Sequence, residues 1–269
     1  MFDVLSMVMS VWRFLPFSVY SAAWNMAVDE AVLQSCIAGK APNTLRFYGW
    51  SPSAVSVGRN EVANDRVYFD AVERFGVDVV RRCSGGGTVY HDCTGEVTYS
   101  VVAKMSDLVS AGDIVSVYVR IYEAVVDALR LLGVSADFCQ GDVRNCPNLT
   151  VGGKKISGSS QSLSRGYVLQ HGTLLRSVDV DKMFQLLKLK DVSCIDAANI
   201  GQQKITSIVN ELGHNVNSDT VVNALKQGFK TILKIQLQEA PLTVFEQELA
   251  EKLYKEKYST KEWTFNTKT

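Results

Sequence analysis

The chain has 269 residues, in which 28 lysines and arginines balance 28 aspartates and glutamates. A nucleic-acid-binding surface normally shows a basic excess, so this balance argues against one. No apolar run approaches the roughly 20 residues that a membrane-spanning helix needs, and Met1–Ser10 lacks the basic start of a signal peptide. We therefore expect a cytoplasmic protein without a membrane span. Residues 1–10 are expected to be partly disordered, and residues 11–269 to form one large domain.

The cysteines and histidines are too scattered to predict a structural metal site. There are six cysteines and three histidines, and no two cysteines form a CxxC pair. A structural zinc site needs four such ligands at characteristic spacings. In a reducing cytoplasm we expect the cysteines to be thiols rather than disulfides.

The hydrophobic pattern of the first half predicts alternating helices and strands. Ser18 or Ser21 can cap a helix that runs to about Gly39 and buries Met26, Ala27 and Ala31. The segments that follow are strands over 45–48 and 54–57, a helix over 66–75 that ends at Gly76, and strands over 77–82 and 96–102.

The second half combines a hairpin-like block with amphipathic helices. Apolar residues recur at helical spacing from Ile114 to Leu132, and Gly133 closes this helix. Residues 148–175 are rich in predicted strands. Two more helices are predicted over 222–233 and 242–253, the latter starting at Pro241 in a terminal helical segment over 241–269. Strands grouped around helices in this order predict an α+β fold with a mixed β-sheet flanked by helices.

A glycine-rich loop is the most informative motif. From Arg81 to Asp92 the chain reads RRCSGGGTVYHD, with three consecutive glycines between two predicted strands. Such glycines cost conformational entropy and suit a backbone that closely approaches a ligand and turns its N–H groups toward an anion. The two arginines supply positive charge for a phosphate or a carboxylate. The same residues also suit a glycine-rich hairpin with its arginines in surface ion pairs.

A lysine hairpin, GGKKISGSSQ over residues 152–161, is the second polar motif. Lys154 and Lys155 alternate across the predicted strand, so one can face solvent while the other points into a cleft. A third segment begins with Gln170 and His171 and leads into a buried strand. A solvated basic hairpin and a structural histidine are the alternative interpretations.

Taken in order, these motifs resemble the lipoate–protein ligase A family of the biotin/lipoyl protein ligase superfamily. The resemblance covers residues 12–263 and is carried by NMAVDE (25–30), LRFY (45–48), VGRN (57–60), RRCSGGGTVYHD (81–92), GKKISGSSQ (153–161), HGTLL (171–175) and KYSTKEW (257–263). It implies the biotin/lipoyl ligase-like fold, a central mixed sheet flanked by helices, with the site lying across the sheet.

The resemblance implies a role for each matching residue. Lys155 is expected to be the catalytic lysine, which contacts the substrate carboxylate and the α-phosphate. The residues expected to bind the acyl group and the nucleotide are Arg46, Arg81, Ser84, Gly85, Gly86, Gly87, Thr88, Val89, Tyr90, His91, Asp92, Asn148, Lys155, Ser157, Gly158, His171, Gly172 and Thr173. Candidates for an apolar slot around the acyl tail are Tyr48, Val57, Val80 and Val101.

The resemblance also implies ATP-dependent ligation. Lipoate, or octanoate, attacks the α-phosphate of ATP with Mg²⁺ and gives lipoyl-AMP, from which a lysine of an acceptor protein takes the acyl group. The expected acceptors are lipoyl-domain proteins, either the E2 component of a 2-oxoacid dehydrogenase or a protein like the glycine-cleavage H protein. Many ligases carry a small domain after the segment that ends here at Trp263. A separate accessory-domain protein is therefore expected as a further partner, unless the terminal helix fills its role.

One position departs from the ligase pattern. Ligases of the family usually have Asn-Asp-Leu before the lysine hairpin, whereas this chain has Pro147-Asn148-Leu149. The missing carboxylate removes a ligand for Mg²⁺, for which Asp142 is a nearby substitute.

That departure leaves a second interpretation open. Transferases that take octanoate from its carrier protein share the fold and work through a cysteine thioester, with the nucleophile in the loop before the lysine hairpin. Cys139 and Cys146 both lie in that loop, and a thiol near Lys155 would have a lowered pKa. The intact glycine and lysine motifs favour the ligase. A third interpretation, a non-catalytic binding module, is opposed by the full set of polar residues.

Overall fold

The computed structural model describes residues 9–109, 113–141 and 147–265. The strands, in chain order, are β1 (Ser10–Tyr20), β2 (Thr44–Trp50), β3 (Ala54–Val57), β4 (Asp78–Arg81), β5 (Val89–His91), β6 (Glu96–Lys104), β7 (Asp137–Cys139), β8 (Asn148–Val151), β9 (Lys154–Ser164), β10 (Tyr167–Leu175) and β11 (Ile235–Glu239). The helices are α1 (Ala22–Ile37), α2 (Phe69–Phe75), α3 (Met105–Leu108), α4 (Ile114–Leu131), α5 (Val180–Leu186), α6 (Cys194–Lys204), α7 (Ile208–Leu212), α8 (Ser218–Leu233), α9 (Val244–Leu253) and α10 (Lys261–Phe265).

The strands form a large sheet and a small one. The large sheet has eight strands in the order β11-β1-β2-β6-β10-β9-β8-β7, and the small sheet has three in the order β4-β3-β5. In the large sheet β11, β1 and β2 are parallel to one another, and the remaining pairs are antiparallel. The predicted mixed sheet flanked by helices is confirmed. No helix in the described parts of the chain is long and apolar enough to span a bilayer.

The two faces of the large sheet are covered by different helices. On one face Phe47 and Tyr99 pack with α4 and α8 in the main hydrophobic core. On the other face Leu169 packs with α1 and α9. Side chains alternate along each strand, so the polar residues Arg46 and Tyr48 face α1, where both hydrogen-bond to its side chains.

Strand register aligns one row of residues on the α1 face. Across the sheet the successive pairs are Tyr48 with Thr98, Thr98 with Thr173, Thr173 with Gly158, Gly158 with Asn148, and Asn148 with Cys139. Paired residues of neighbouring strands project from the same face. The row therefore connects the centre of the sheet at β2 with its edge strand β7.

The structure confirms the predicted helices α1 and α4. Ser21 caps α1 by accepting from the Trp24 N–H group, and Met26, Ala27 and Ala31 are buried as predicted. Helix α4 begins after its cap Asp113 and buries its apolar stripe against the large sheet.

Tertiary pairing changes the predicted start of α2 and adds elements. Helix α2 begins at Phe69 rather than Arg66, because the Tyr68 N–H group donates to the Leu186 carbonyl and the Lys188 N–H group to the Arg66 carbonyl. The sequence analysis did not predict the strands β1, β5, β7 and β11 or the helices α3, α5, α6 and α7. Of the N-terminal segment expected to be disordered, residues 1–8 lie outside the described residues, and β1 begins at Ser10.

The terminal helical segment packs against the rest of the fold. Helix α9 begins at a capping box made by Thr243 and Glu246 rather than at Pro241. Glu246 is fully buried, and its carboxylate pairs with Arg13 of β1 at 2.5 Å. Because a buried ion pair needs both partners in place, this contact ties α9 to the large sheet.

Candidate active site

Residues of both sheets line a cavity of about 610 Å³. Of the residues predicted to form the site, those in its wall are Gly86, Gly87, Thr88, Val89, His91, Lys155, Gly158, His171, Gly172 and Thr173. Tyr48, a candidate for the apolar slot, also lines it. The fold therefore brings the glycine loop, the lysine hairpin and the His171 segment to one place.

Other predicted site residues lie behind the wall or away from it. Among the described residues this group comprises Arg46, Arg81, Ser84, Gly85, Tyr90, Asp92, Asn148 and Ser157. Tyr90 packs in a hydrophobic cluster beneath the small sheet, and its hydroxyl donates to Asp92 at 3.0 Å. The slot candidates Val57, Val80 and Val101 likewise lie in the hydrophobic clusters.

Arg82 holds the shape of the glycine loop. Its Nη2 donates to the carbonyls of Gly85 and Gly87 at 2.8 and 2.9 Å. Its Nη1 donates to the carbonyl and the hydroxyl of Ser56 at 2.7 and 2.8 Å. The sequence analysis reserved this charge for a ligand. Arg82 does line the cavity, but these contacts also use its guanidinium to orient backbone carbonyls.

Those carbonyls determine where the loop N–H groups point. A trans peptide places its N–H opposite its carbonyl, so a carbonyl of Gly85 held by Arg82 turns the Gly86 N–H the other way. Within the described parts of the chain, the Gly86 N–H group donates no hydrogen bond. Gly86 lines the cavity with φ +83°, a conformation that favours glycine. The loop thus leaves a backbone donor available for an oxyanion.

Arg81 is surrounded by backbone carbonyl groups. Its guanidinium donates to the carbonyls of Gly58, Arg59, Glu61, Trp263 and Thr264 at 2.6–3.1 Å. The Trp263 indole donates back to the Arg81 carbonyl at 2.9 Å. A side-chain carbon at Gly58 would lie 1.9 Å from the Gly86 carbonyl oxygen. Arg81 therefore joins the C-terminal segment to the backbone on which the glycine loop rests.

Lys155 covers Gly158 on the cavity wall. A side-chain carbon at Gly158 would lie 2.7 Å from the Lys155 Nζ, so a glycine is needed for the ammonium group to lie there. Lys154 and Lys155 are both exposed, but only Lys155 is part of the wall. The hairpin thus directs one lysine of the pair into the cavity.

The His171 network consists of Asp29, His171, Ser84 and Ser160. The Asp29 carboxylate lies 2.9 Å from His171 Nδ1, and His171 Nε2 lies 2.6 Å from the Ser84 hydroxyl. The Ser84 hydroxyl lies 2.8 Å from that of Ser160, which lines the cavity. On its other side Asp29 pairs with Arg46 at 2.9 Å.

Burial governs the charges of this network. Burial favours a raised pKa for Asp29, but the His171 hydrogen bond and the Arg46 charge outweigh it, so the pKa is lowered. For His171 burial dominates and lowers the pKa despite the neighbouring Asp29. The carboxylate is therefore charged and the imidazole neutral at neutral pH.

The His91 network consists of Glu96, His91, Ser56 and Arg82. His91 Nδ1 lies 2.8 Å from Glu96 Oε1, and His91 Nε2 lies 2.6 Å from the Ser56 hydroxyl. The Ser56 oxygen accepts from Arg82 at 2.8 Å. Trp50 stacks on the imidazole with ring centroids 4.0 Å apart and donates to Glu96 at 2.9 Å.

The sequence analysis assigned no role to several members of these networks, namely Asp29, Ser56, Glu96 and Ser160. Asp29 and Ser160 lie inside segments that carried the family resemblance. Ser56 and Glu96 are polar residues in otherwise buried strands. A buried polar side chain must find hydrogen-bond partners, and this was the signal available in the sequence.

Of the two candidate nucleophiles, only Cys139 lies in the described part of the chain. Cys139 is exposed at the end of β7. Cys146 and the candidate magnesium ligand Asp142 lie outside the described residues. Pro147, which follows Cys146 in the chain, lines the cavity.

Relatives that span nearly the whole chain are octanoyltransferases. Octanoyltransferase LipM of Kyrpidia tusciae is 36% identical over 275 residues, which cover 96% of this chain and 99% of the relative. LipM of Bacillus subtilis is 32% identical over 273 residues, which cover 94% and 98%. Among solved structures, a bi-partite lipoate protein ligase from Thermoplasma acidophilum is 31% identical with a TM-score of 0.83, covering 97% of this chain and 98% of that one.

The octanoyltransferase relatives overturn the interpretation of the chain as an ATP-dependent lipoate–protein ligase. The expected use of ATP and Mg²⁺ and the expected lipoyl-AMP intermediate are wrong for the same reason. The glycine and lysine motifs do not distinguish a ligase from a transferase, because the active site of either enzyme must stabilise negative charge at an acyl carbonyl. The informative residue was Asn148, whose neutral amide stands where ligases usually carry a carboxylate.

A family model for the lipoyl protein ligase A/B catalytic domain matches residues 21–230. This span contains the glycine loop, the lysine hairpin and both histidine networks. With a match over most of its length and relatives that cover nearly all of it, the chain belongs to the lipoyl protein ligase A/B catalytic domain family.

Proposed function

We propose that the chain transfers an octanoyl group from a carrier-bound thioester to a lysine of a lipoyl-domain protein, through an acyl-cysteine. The LipM relatives are named as octanoyltransferases. The Thermoplasma acidophilum ligase is described together with its E2 lipoyl domain as a lipoylation system. These names support a medium-chain acyl group as substrate, and as acceptor an E2 lipoyl domain or a protein like the glycine-cleavage H protein.

Accessibility of the thiols favours one described cysteine as the nucleophile. Burial raises the pKa of both Cys36 and Cys83 to about 12, so neither ionises readily. Cys93, Cys139 and Cys194 are exposed and none of the three lines the cavity, so their positions relative to the lysine hairpin decide between them. Cys139 is exposed and lies on β7, which is joined to the lysine hairpin through β8.

The observation that carries the proposal is the shared face of Cys139 and Lys155. Cys139 pairs with Asn148, and Asn148 pairs with Gly158. Two strand spacings, about 10 Å, therefore separate the Cα atoms of Cys139 and Gly158. The Lys155 ammonium group covers Gly158 on its side-chain face. The ammonium charge therefore lies on the same face of the sheet as the Cys139 thiol, where it can stabilise the negative charge that develops on an acyl carbonyl.

The chemistry has two balanced halves. The Cys139 thiolate attacks the donor carbonyl, a new C–S bond forms, and the donor leaves as its thiolate. The acceptor amine then attacks the acyl-cysteine, the C–N bond forms, and Cys139 leaves as a thiolate. In both halves the Gly86 N–H group and the charge of Lys155 stabilise the developing oxyanion. The accessory protein is not part of this proposal, since it was expected for adenylate formation.

The test is acyl transfer by the full chain. Octanoyl-loaded acyl carrier protein is mixed with the enzyme, and intact-mass spectrometry and peptide mapping locate an octanoyl adduct. A lipoyl domain is then added, and acylation of its lysine is measured. We expect an adduct on Cys139 that passes to the lysine, without ATP.

Three cysteine variants separate the outcomes. Cys139→Ser is expected to abolish the adduct, while Cys146→Ser and the exposed control Cys93→Ser retain it. An adduct that maps to Cys146 would keep the transferase function and overturn the assignment of Cys139. A wild-type chain that forms no adduct and transfers no octanoate would overturn the function.

A further inference from the structure

Cys139 is the last residue of a short strand at the edge of the large sheet. Strand β7 has three residues, and among the described strands it pairs with β8 alone. Short elements with few buried contacts open locally at a low free energy. A thiol on such a strand therefore needs a further anchor to stay in one position.

Tyr122 of α4 supplies an anchor on the opposite face of the sheet. Its side chain is fully buried in the main hydrophobic core. Its ring packs on Phe138, the residue before Cys139, with the ring centroids 5.7 Å apart. Because side chains alternate along a strand, Phe138 points toward α4 while Cys139 projects from the α1 face. The ring contact thus holds the strand from behind the thiol.

The hydroxyl group of Tyr122 holds the neighbouring strand. It donates to the Pro147 carbonyl at 3.0 Å. Pro147 directly precedes Asn148, which pairs with Cys139, and it lines the cavity. One side chain therefore contacts both β7 and the residue that leads into β8.

Ser159 sets the direction of the Tyr122 hydroxyl. The Ser159 hydroxyl on β9 donates to the Tyr122 oxygen at 2.8 Å, and Gln170 on β10 donates to the Ser159 oxygen at 3.2 Å. Since the phenol oxygen accepts from Ser159, its own proton is directed to the Pro147 carbonyl. Strand β9 also carries Lys155, so these bonds connect the strand of the lysine with the edge that carries the thiol.

We propose that Tyr122 is a positioning residue for the nucleophile, which holds the β7–β8 edge, and with it the Cys139 thiol, in register with Lys155 and the cavity. The inference rests on the proposed transferase function. Tyr122 touches no reacting atom in this role. A displacement of a reacting group by about 1 Å can lower a rate by as much as about a hundredfold. Loss of the anchor should therefore slow the chemical step while the donor binds as before.

The test compares Tyr122→Phe with the wild-type chain in the first half-reaction. The substitution keeps the ring on Phe138 and removes the hydroxyl that holds Pro147. Formation of the octanoyl adduct is followed by mass spectrometry over a range of concentrations of octanoyl-loaded acyl carrier protein. We expect the maximal rate to fall about tenfold, with an unchanged donor concentration at half-maximal rate. Alkylation of Cys139 by iodoacetamide needs no alignment with the cavity and should keep the wild-type rate.

Ser159→Ala provides a second and milder perturbation. It removes the donor that directs the Tyr122 proton and leaves both aromatic rings in place. The maximal rate of adduct formation should fall by less than in Tyr122→Phe, again with an unchanged half-saturating donor concentration.

The matched control is Tyr258→Phe. Tyr258 is only 1% exposed, and its hydroxyl donates to Glu30 of α1, away from the cavity wall. Each tyrosine variant thus loses one buried hydroxyl group that makes a hydrogen bond, and urea unfolding measures the stability of both. Tyr258→Phe is expected to form the adduct at the wild-type rate.

The outcomes separate positioning from a general loss of structure. Adduct formation at the wild-type rate by Tyr122→Phe would overturn the positioning role. Equal slowing of adduct formation and alkylation, or equal slowing by Tyr122→Phe and Tyr258→Phe, would overturn it as well. Absence of an adduct in the wild-type chain would instead refute the transferase function itself, so the two failures are distinguishable.

Discussion

Two networks of the same residue types lie side by side at the cavity. In each, a buried carboxylate holds a histidine whose other nitrogen contacts a serine hydroxyl, at 2.6 Å in both. They differ in what the serine oxygen accepts next. In the His171 network the donor is the Ser160 hydroxyl, whereas in the His91 network it is the Arg82 guanidinium, and both donors line the cavity.

This difference decides what each serine can do at the cavity wall. A hydroxyl can pass a proton onward, whereas the guanidinium of an arginine stays protonated and cannot accept one. Arg82 also holds the carbonyls of Gly85 and Gly87, so the His91 network ends in the glycine loop. A carboxylate–histidine–serine set therefore does not identify a proton relay until the partner of the serine is known.

The largest effect is expected at Lys155, in the cavity wall beside both networks. Lys155→Ala should slow octanoyl transfer by roughly a hundredfold, about 3 kcal/mol of lost charge stabilisation. Lys154→Ala is the matched control, because Lys154 is exposed and outside the wall. Steady-state transfer to a lipoyl domain measures both variants, and equal losses would show that the wrong lysine has been chosen.

The second-largest effect is expected when the two histidines are replaced in turn. His171→Gln removes a neutral imidazole from the cavity wall and is expected to slow transfer to the amine by roughly a hundredfold, with the fold retained. His91→Gln should affect stability more than transfer, since it disturbs the support of the glycine loop. Single-turnover transfer and urea unfolding are measured for both variants. Similar profiles for the two would remove the distinction between the networks.

The carboxylate of the His91 network should act mainly on stability. Glu96 Oε1 receives bonds from Trp50, His91 and Thr98 at 2.7–2.9 Å. Glu96→Gln weakens this buried set, and we expect a loss of about 1–3 kcal/mol in the free energy of unfolding. The control Glu123→Gln, in a surface ion pair, should change it by less than about 0.5 kcal/mol. A Glu96→Gln protein as stable as the wild type would contradict the scaffold role.

The glycine loop should be sensitive to backbone strain at Gly86. With φ +83°, Gly86→Ala is expected to cost about 1–2 kcal/mol and to lower transfer by displacing its N–H group. Gly39 has φ +69° with open space around it, so Gly39→Ala carries similar strain far from the cavity. It should lose stability while keeping transfer, and unfolding and transfer assays together separate strain from function.

The smallest expected effect is on the pH profile of amine transfer. Neutral His171 is a proton acceptor in the cavity wall. Its pKa is lowered from 6.5 by burial; Asp29 opposes the shift, and Arg82 and His91 add to it. The proton acceptor is therefore present above the lowered pKa and is lost as the pH falls through it. Transfer by isolated acyl-enzyme should stay constant down to about pH 6.5 and decline only below it. A decline that begins well above pH 6.5 would point to another base.

Much of the secondary structure was predictable because its signals are local. The cap at Ser21, the apolar stripe of α4 and the alternation in β6 depend on residues a few positions apart. The strands β1, β5, β7 and β11 and the helices α3 and α5 to α7 were missed. The start of α2 was misplaced because it depends on pairing with residues 186–188.

The sequence motifs predicted only part of the function. The glycine loop and the lysine hairpin identify a site for an acyl carbonyl, and family membership follows from them. They do not distinguish activation by ATP from activation by a thiol, because an oxyanion needs the same donors in both. The full-length relatives decided that point.

The sequence by itself determined the mixed α and β composition, the glycine loop with its backbone donor, and the lysine of the hairpin. Only the tertiary structure decided what the arginines and histidines do. Ser84 and His171 are 87 positions apart, and Arg81 meets Thr264 across 183. Local patterns carry no information on such pairings, since the sheet register and the packing of α1 and the C-terminal segment set them. For that reason two carboxylate–histidine–serine networks with different partners look alike in the sequence and differ in the fold.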